Sequence, residues 1–509
     1  MQLQEVVLCA TSPTPSNAGP GSISLHDIQT GATLASFKQT SAGSRCTAVS
    51  QTRNGQGGFM LAAQPDKSIM NVYNFQRDQL SLKIVLPEKL SCIAVDPRGE
   101  ICAGGTSQGR LYIWEIASGI MYNAWDAHYR QVSVLRFTQD SSTLLSGSED
   151  SSVNVWSVSR LLDDSTQNEL PVPYCTLSDH TLPVTDIVCG AGPFPKCRVL
   201  TASVDHSVKL WDLESKSLLT TFQFPRPIAN LAWDFTERLF FAASPDGFIH
   251  QVNLFRQRDD KSSRVLEAIG GAGSTDIVRI TDEDQQASRR RLITVGQAVS
   301  SMTISLTSSL LLVGTSTGLI HSYDIASHQL LRTISTHKGL SISHIATMLK
   351  PPDLVGHVNL SLNAHSSADS RDTIIAKTVA PFQRMRDPKF REAHEVSILL
   401  PPSRTVRTSP SCLYSNDELL RDYATFVQPS GTGVQPSGVS LQSRVLELES
   451  EVARLREQLA KAKGINDTIW ETVVQRVAAE SREKVRENAM DIDDAAPART
   501  SRQATQKRG

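Results

Sequence analysis

The chain has 509 residues and a formal net charge of −1, from 51 basic and 52 acidic side chains. A balance so near neutrality excludes a strong overall attraction to nucleic acid or to anionic membranes. The eight cysteines form no CxxC pair, and neither a signal peptide nor an apolar run of about 18 residues is found, so we expect no membrane span and a reducing compartment.

A recurring strand pattern dominates the first 350 residues. The segments LYIWEI at 111–116, VNVWSV at 153–158 and VKLWDL at 208–213 alternate apolar and polar residues around an aromatic position. Self-similarity at about 40–45 residues, with four strands in each unit, is typical of a WD-repeat β-propeller. We therefore predict an all-β fold, a seven-bladed WD-repeat β-propeller over residues 1–350. The aromatic–acidic positions of the seven blades are His26-Asp27, Tyr73-Asn74, Trp114-Glu115, Trp156-Ser157, Trp211-Asp212, Val252-Asn253 and Tyr323-Asp324.

The first blade lacks an inner strand in the sequence. Residues 6–11 match a second strand and residues 24–28 a third, whereas SISHIATM at 341–348 follows the outer strand of the last blade. Because an unpaired sheet edge is an aggregation risk, we expect residues 341–348 to pair with the first blade and to close the ring.

Two blades carry polar residues at the spacing of the buried His–Ser/Thr–Asp–Trp hydrogen-bond network of WD repeats. A catalytic Ser–His–Asp set is the alternative interpretation. We favour the structural one, because the set repeats with the blade period and buried polar groups need partners. The predicted members are His128, Ser146 or Ser148, Asp150 and Trp156 in blade four, and His180, Ser203 or Thr201, Asp205 and Trp211 in blade five, with Ser146 and Ser203 as the preferred hydroxyls.

Two polar stretches accompany the predicted ring. Residues 256–292 are expected to be a disordered loop inserted between blades six and seven, with a partner-binding loop as the alternative. Residues 351–440 are expected to be an irregular, mildly basic extension and linker. Its basic residues lie near Phe382 and Phe390, so direct RNA contact is one interpretation, and packing on the ring or on a protein partner is the other. The residues that would make either contact are Arg384, Arg386, Lys389 and Arg391.

The periodicity becomes helical after the linker. Apolar residues at 3–4–3–4 spacing among Glu and Arg predict a coiled coil and an amphipathic helix within residues 441–480. Gly464 is expected to interrupt the helix, and residues 481–509 to form a disordered tail. Packing on the ring is one alternative, but the preceding Pro/Gly linker favours binding to a second copy or to another helix. The coiled-coil seam consists of Val445, Leu448, Val452, Leu455 and Leu459.

Several stretches resemble one WD-repeat family, the pre-rRNA-processing WD-repeat proteins of fungi and WD-repeat protein eighteen of animals. HYRQVS at 128–133 and DHTLPVTD at 179–186 are its most specific features, and QVNLF at 251–255 and VLELESEVARLR at 445–456 extend it. The resemblance implies a nuclear scaffold subunit, in nucleoplasm and nucleolus, of a complex that removes the internal transcribed spacer from precursor rRNA during large-subunit maturation. The implied partners are a helical-repeat scaffold subunit, a smaller third subunit, precursor large-subunit particles and the midasin ATPase.

The main hypothesis is therefore a non-catalytic assembly factor, with a homodimer through the coil as one form of its contacts. The alternative is a substrate-receptor propeller of a ubiquitin ligase, although no Trp-Asp-x-Arg box follows Trp114, Trp156 or Trp211. The third is an enzyme with a site in the central channel. The sequence has no phosphate-binding GxxxxGK motif and no HExxH motif. We therefore expect no catalytic residues, no metal and no cofactor.

Overall fold

The chain folds into two compact units, residues 1–403 and 404–509. The first unit contains every strand of the part of the chain that the structure describes, and the second contains a long helix. The computed structural model describes residues 4–14, 19–51, 58–75, 78–163, 169–260, 263–269, 277–280, 292–351, 354, 379–386 and 441–493.

The strands of the first unit are short and follow one another closely along the chain. They are β1 (Glu5–Ser12), β2 (Gly21–Asp27), β3 (Thr33–Thr40), β4 (Thr47–Gln51), β5 (Gly58–Gln64), β6 (Ile69–Asn74), β7 (Leu80–Val85), β8 (Leu90–Val95), β9 (Ile101–Thr106), β10 (Arg110–Glu115), β11 (Met121–Asp126), β12 (Val132–Phe137), β13 (Thr143–Ser148), β14 (Val153–Ser157), β15 (Cys175–Leu177), β16 (Val184–Cys189), β17 (Arg198–Ser203), β18 (Ser207–Asp212), β19 (Ser217–Gln223), β20 (Asn230–Trp233), β21 (Leu239–Ala243), β22 (Phe248–Asn253), β23 (Phe255–Asp260), β24 (Ser263–Ala268), β25 (Ile277–Arg279), β26 (Leu292–Thr294), β27 (Val299–Ile304), β28 (Leu310–Thr315), β29 (Ile320–Asp324), β30 (Leu330–Ile334) and β31 (Ser341–Leu349). The helices among the described residues are α1 (Val158–Leu162), after β14, and α2 (Leu441–Asp493).

Seven antiparallel blades make up the propeller. Blades two to five and blade seven are built from consecutive strands, β4–β7, β8–β11, β12–β15, β16–β19 and β27–β30. Blade one has the order β3-β2-β1-β31, so its inner strand comes from the far end of the ring. β31 pairs antiparallel with β1, from Glu5 opposite Leu349 to Ser12 opposite Ser341. The seven-bladed fold is confirmed, and the ring closes in the way that the sequence predicts.

Adjacent blades are held together by apolar side chains from their facing sheets. Val134 and Leu145 of blade four form one buried cluster with Val184 and Ile187 of blade five. Gly147 lies between them, and a Cβ atom there would stand within 3.0 Å of side chains of both blades. The blades therefore approach so closely at this point that only glycine fits, as expected for a densely packed core.

The polar insertion lies elsewhere than the sequence suggests. It falls inside blade six, between β22 and β26, because β26 is the fourth strand of that blade. The prediction of a disordered loop is wrong where strands form, whereas residues 261–262, 270–276 and 281–291 lie outside the described residues. β23 and β24 form an antiparallel hairpin, and β25 pairs parallel with β19, where it adds a fifth strand to blade five. The backbone groups at the outer edge of β19 provide the hydrogen bonds for this addition.

The helix α2 differs from its prediction in two ways. It continues through Gly464, where an interruption was expected, and it extends to Asp493, beyond the expected start of the disordered tail. A single glycine costs a helix only about 1 kcal/mol, which the many strong helix formers around it offset. No described helix is long and apolar enough to cross a membrane.

Replacing a buried residue of the closing strand tests the importance of ring closure. Ile342 of β31 is fully buried between blades one and seven. We expect Ile342→Ala to lower the free energy of unfolding by about 2–5 kcal/mol, because it removes buried apolar contacts and leaves a cavity. Chemical denaturation followed by circular dichroism measures the change. Leu330→Ala, at a site that is 51% exposed, is the control, and equal losses in the two variants would contradict the account.

Candidate functional site

The polar network of blade four is complete and buried. His128 donates through Nδ1 to Asp150 (3.1 Å), and its Nε2 accepts from the hydroxyl of Ser146 (2.8 Å). Trp156 donates its indole N–H to the same hydroxyl at 2.9 Å. The four predicted residues therefore lie together, and Ser146 rather than Ser148 is the hydroxyl, since Ser148 donates to the carbonyl of Gln131 instead.

Blade five has the same network with one correction. His180 joins Asp205 (2.9 Å) to the hydroxyl of Thr201 (2.8 Å), which also accepts from Trp211 at 2.9 Å. The preferred residue, Ser203, is not part of this set, because it lies at the end of β17 and donates to the carbonyl of Leu182. Both hydroxyls lie on one face of the strand, and only the position of the indole selects Thr201.

The electrostatics of both networks favour a structural role. Burial by itself raises the pKa of Asp150, but hydrogen bonds from His128 and Ser152 outweigh it and hold that pKa well below its usual range. The pKa of Asp205 is lowered in the same way by His180 and Ser207. The imidazoles of both histidines are fully buried. Each aspartate is therefore an ionised acceptor that orients a histidine out of reach of a substrate.

In blade three a distant segment of the chain provides the hydrogen-bond acceptor for the buried indole. Gly104 stands where blade four has its serine, so no hydroxyl is available to the indole of Trp114. Instead, Trp114 donates to the carbonyl of Gln383 (3.2 Å), and the ring of Phe382 stacks on it with centroids 5.2 Å apart. Backbone bonds from Ala380 to Ile116 and from Gln383 to Gly119 complete the attachment.

The docked segment, residues 379–386, contains two of the four predicted basic contact residues. Arg384 is exposed and Arg386 is partly buried, whereas Lys389 and Arg391 lie outside the described residues. Phe382 is buried against blade three and is not available for stacking on a base. For this aromatic residue, packing on the ring is therefore the interpretation that the structure supports.

An arginine spans the central channel of the ring. Arg45 of blade two donates to the carbonyls of Ser133 (3.4 Å) and Ala229 (3.1 Å), which belong to the walls of blades four and six. Its guanidinium lies 3.6 Å from the buried carboxylate of Asp186 in blade five, which also accepts from the backbone of Leu231. A partly open pocket of about 410 Å³ lies in the channel, and Arg45 and Asp186 in its lining make contacts across the ring.

The two motifs in the sequence that resemble a serine nucleophile motif are turns between strands. GTSQG at 105–109 joins β9 to β10, and GTSTG at 314–318 joins β28 to β29. A GxSxG nucleophile requires a strand–turn–helix geometry, which neither segment has. These segments therefore provide no catalytic serine.

One face of the ring exposes apolar side chains on adjacent blades. The loops that enter inner strands and the turns between second and third strands lie at the same face of an antiparallel blade. Tyr129 is 97% exposed in such a loop of blade four, and Leu182 and Val204 are exposed in the equivalent connections of blade five. Exposed aromatic and aliphatic residues of this kind are typical of protein-binding surfaces.

A set that sequence reasoning missed lies in blade one. The side chains of Cys9, His26 and His337 are buried, and their ligand atoms lie within 4.8 Å of one another. His26 and His337 are 311 positions apart, so no spacing motif could reveal the set. It contains the atoms that bind transition metals in proteins.

Comparisons with known proteins agree with the observed ring. The model of the WD domain, G-beta repeat family matches residues 121–157 and 171–212. The pre-rRNA-processing protein IPI3 of Yarrowia lipolytica is 32% identical over 334 residues, which cover 65% of this chain and 72% of that protein. The chain belongs to the IPI3 and WD repeat-containing protein 18 family.

Two further members of this family show how far the similarity extends. Human WD repeat-containing protein 18 is 30% identical over 354 residues, covering 69% of this chain and 74% of that protein. The IPI3 protein of Mycosarcoma maydis is 37% identical over 357 residues, which are 60% of this chain. In that comparison the chain spans 61% of the relative's length.

Removing the aromatic contact tests the attachment of residues 379–386. We expect Phe382→Ala to release this segment from Trp114, because it removes the stacked ring that anchors it. Trypsin cleavage after Arg384 should then become roughly tenfold faster or more, since local opening controls proteolysis. Met385→Ala, at a residue that is 79% exposed, is the control. Unchanged cleavage in Phe382→Ala would show that the segment is held by other contacts.

Proposed function

We propose that this protein is a non-catalytic scaffold in pre-rRNA processing. Family membership supports the process, because the relatives are named pre-rRNA-processing proteins. The buried networks and the closed ring support the absence of catalysis, since the side chains of His128 and His180 are fully buried and their hydrogen bonds stabilise the blades. The protein then acts by presenting surfaces to partners, and its place of action is the nucleus, in nucleoplasm and nucleolus.

The observation that carries the scaffold proposal is the apolar seam of α2. Val452, Leu455 and Leu459 are 47%, 53% and 71% exposed on the described part of the helix. The side chains of Val445 and Leu448 lie outside the described residues. A row of aliphatic side chains at heptad spacing favours packing against a partner helix. Burial lowers the free energy by about 25 cal/mol for each Å² of apolar surface removed from water.

Charged residues beside the seam are compatible with such a helical interface. Glu457 and Lys461 form an i,i+4 ion pair at 2.8 Å, and Glu451 lies 3.8 Å from Arg454. These pairs add little stability because they are exposed. They make the helix surface beside the seam charged and therefore well solvated. We propose that the seam binds either a second copy or the helical-repeat scaffold subunit of a complex that also contains a smaller third subunit.

The proposed complex acts on precursor large-subunit particles. In this account it promotes removal of the internal transcribed spacer and cooperates with the midasin ATPase. The exposed face around Tyr129, Leu182 and Val204 offers a second protein-binding surface, away from the helix in sequence. A ring and a helix that bind different partners can hold two components of such a particle together, which is the work of a scaffold.

A sedimentation experiment tests the proposed function and the seam together. We expect the tagged full chain to co-migrate with large-subunit precursor particles in a sucrose gradient. Leu448→Asp combined with Leu455→Asp should move it to light fractions, because a buried unpaired carboxylate at either position disrupts the helical interface. The ring should remain folded by circular dichroism.

The matched control adds the same charges away from the seam. Ser450 and Ala453 lie on the same helix but outside the 3–4–3–4 positions. The double variant Ser450→Asp and Ala453→Asp should still sediment with the particles. A wild-type protein found only in light fractions with cullin-type proteins would favour the ubiquitin-ligase receptor, and equal behaviour of both double variants would refute the role of the seam.

A further inference from the structure

Blade one holds an unusual pair of side chains at the positions of the polar network. In blade four Leu144 lies opposite Trp156, and Ser146 follows two residues later on the same strand. The hydroxyl of Ser146 accepts a hydrogen bond from the indole of Trp156. In blade one Val7 lies opposite His26, and Cys9 is two residues further along the strand. Cys9 and His26 therefore occupy the positions of the serine and the tryptophan.

The third member of the set also has a counterpart in blade four. His337 lies four residues before the start of β31, as His128 lies four residues before the start of β12. The carboxylate that completes the network is missing from the corresponding turn, because residues 13–20 (PTPSNAGP) contain neither Asp nor Glu. Blade one thus keeps the histidine, loses the aspartate, and gains a second imidazole and a thiol.

These three side chains direct their ligand atoms at one another. The Nε2 atoms of His26 and His337 are 2.8 Å apart, and the Sγ atom of Cys9 is 3.3 Å from the Nε2 atom of His337. Cys9 and His26 are fully buried, and His337 is almost so. Two imidazole nitrogens and a sulfur meet at one point, on strands β1 and β2 and on the connection from β30 to β31.

The surroundings of the two histidines favour the neutral imidazoles that metal binding requires. The Nδ1 atom of His26 lies 3.3 Å from the hydroxyl of Thr33, so an N–H placed there leaves Nε2 free to coordinate. Burial, with a smaller effect of His337, lowers the pKa of His26 to about 4, and burial also lowers the pKa of His337. Both imidazoles are therefore neutral near pH 7.

The thiol requires a metal before it ionises. Burial raises the pKa of Cys9 to about 12, so without a cation the sulfur keeps its proton. A bound divalent metal displaces this proton to solvent and forms a bond with the resulting thiolate. Coordination thus replaces one S–H bond by one metal–sulfur bond and adds two metal–nitrogen bonds, without any oxidation or reduction.

The distances suit zinc after a small adjustment. Bonds of about 2.0–2.1 Å to nitrogen and about 2.3 Å to sulfur place tetrahedral ligand atoms roughly 3.3–3.6 Å apart. The separation of the two nitrogens must open by about 0.5 Å and that of Cys9 Sγ from His337 by about 0.3 Å to reach these values, and Cys9 Sγ lies within 4.8 Å of His26. Mixed imidazole and thiolate ligands are typical of Zn²⁺ sites in reducing compartments.

We propose that Cys9, His26 and His337 bind one Zn²⁺ ion, which fastens the β30–β31 connection to β1 and β2 at the point where the ring closes. This site contrasts with the expectation from the sequence that no metal is bound. Its role is structural, since all three ligands are buried and the ion would link the two ends of the propeller. The ion would take over the role that the aspartate-anchored network has in blades four and five.

Metal analysis of the full chain tests the proposal directly. The protein, purified under reducing conditions and without metal-affinity resin, should contain about one zinc per chain by elemental analysis. Chelation should lower the midpoint of thermal unfolding, and added Zn²⁺ should restore it. Replacement by Co²⁺ should give thiolate-to-cobalt charge-transfer absorption. A wild-type chain without zinc that neither takes up Zn²⁺ nor gains stability from it would overturn the proposal, as would copper in place of zinc.

A conservative substitution separates this site from other cysteines. Cys9→Ser keeps the size of the side chain and supplies the hydroxyl that blade four uses, so the ring should fold. We expect it to weaken zinc binding at least tenfold and to abolish the charge-transfer band. Cys92→Ser is the control, because that buried sulfur lies 3.5 Å from the carbonyl of Val132 and far from the set in sequence. Equal zinc contents in Cys9→Ser and wild type would place the metal elsewhere and overturn the assignment.

Discussion

The antiparallel pairing of β31 with β1 is the contact on which the ring depends. In blades two to five and in blade seven the four core strands are consecutive, so their hydrogen bonds are local in the chain. Blade one alone joins residues more than 300 positions apart, since Cys9 and Ile345 are opposite each other. Without this ladder the edge of β1 would be exposed, and blade seven would lose the apolar side chains of β31 that pack on its face. Loop closure over such a distance has a large entropic cost, which explains why buried aliphatic residues and a cluster of buried polar groups are both found at the junction.

A closed ring also determines where function can be located. The histidine networks of blades four and five are occupied by packing and hydrogen bonds, and their imidazoles are fully buried. What the described part of the chain offers to partners is its surface: the exposed loops of blades four and five, the segment fastened to blade three, and the apolar seam of α2. The proposed scaffold function follows from this division, because rigid blades fix the relative positions of loops that contact different proteins.

The sequence predicted mainly features whose residues lie close together in the chain, and it missed features whose residues only the fold brings together. Alternating strands and aromatic positions such as Trp211 identify blades because they are local, and the closing strand could be inferred because blade one was visibly incomplete. Thr201 could not be separated from Ser203, since both side chains lie on the same face of β17 and only contact with the indole distinguishes them. The insertion was assigned outside blade six because β26 has only three residues and no pattern of its own. The set formed by Cys9, His26 and His337 is invisible to any motif search, because the fold alone brings its members together.

The central claim is that the ring and the helix must act together in pre-rRNA processing. Depletion of the protein in cells, followed by hybridisation to the internal transcribed spacer of precursor rRNA, tests it most directly when the full chain and a chain ending at residue 440 are compared as rescue proteins. The account predicts that spacer-containing precursors accumulate on depletion, and that the full chain clears them whereas the shortened chain, although folded and present at equal levels, does not. Normal processing after depletion, or full rescue by the ring without α2, would contradict it.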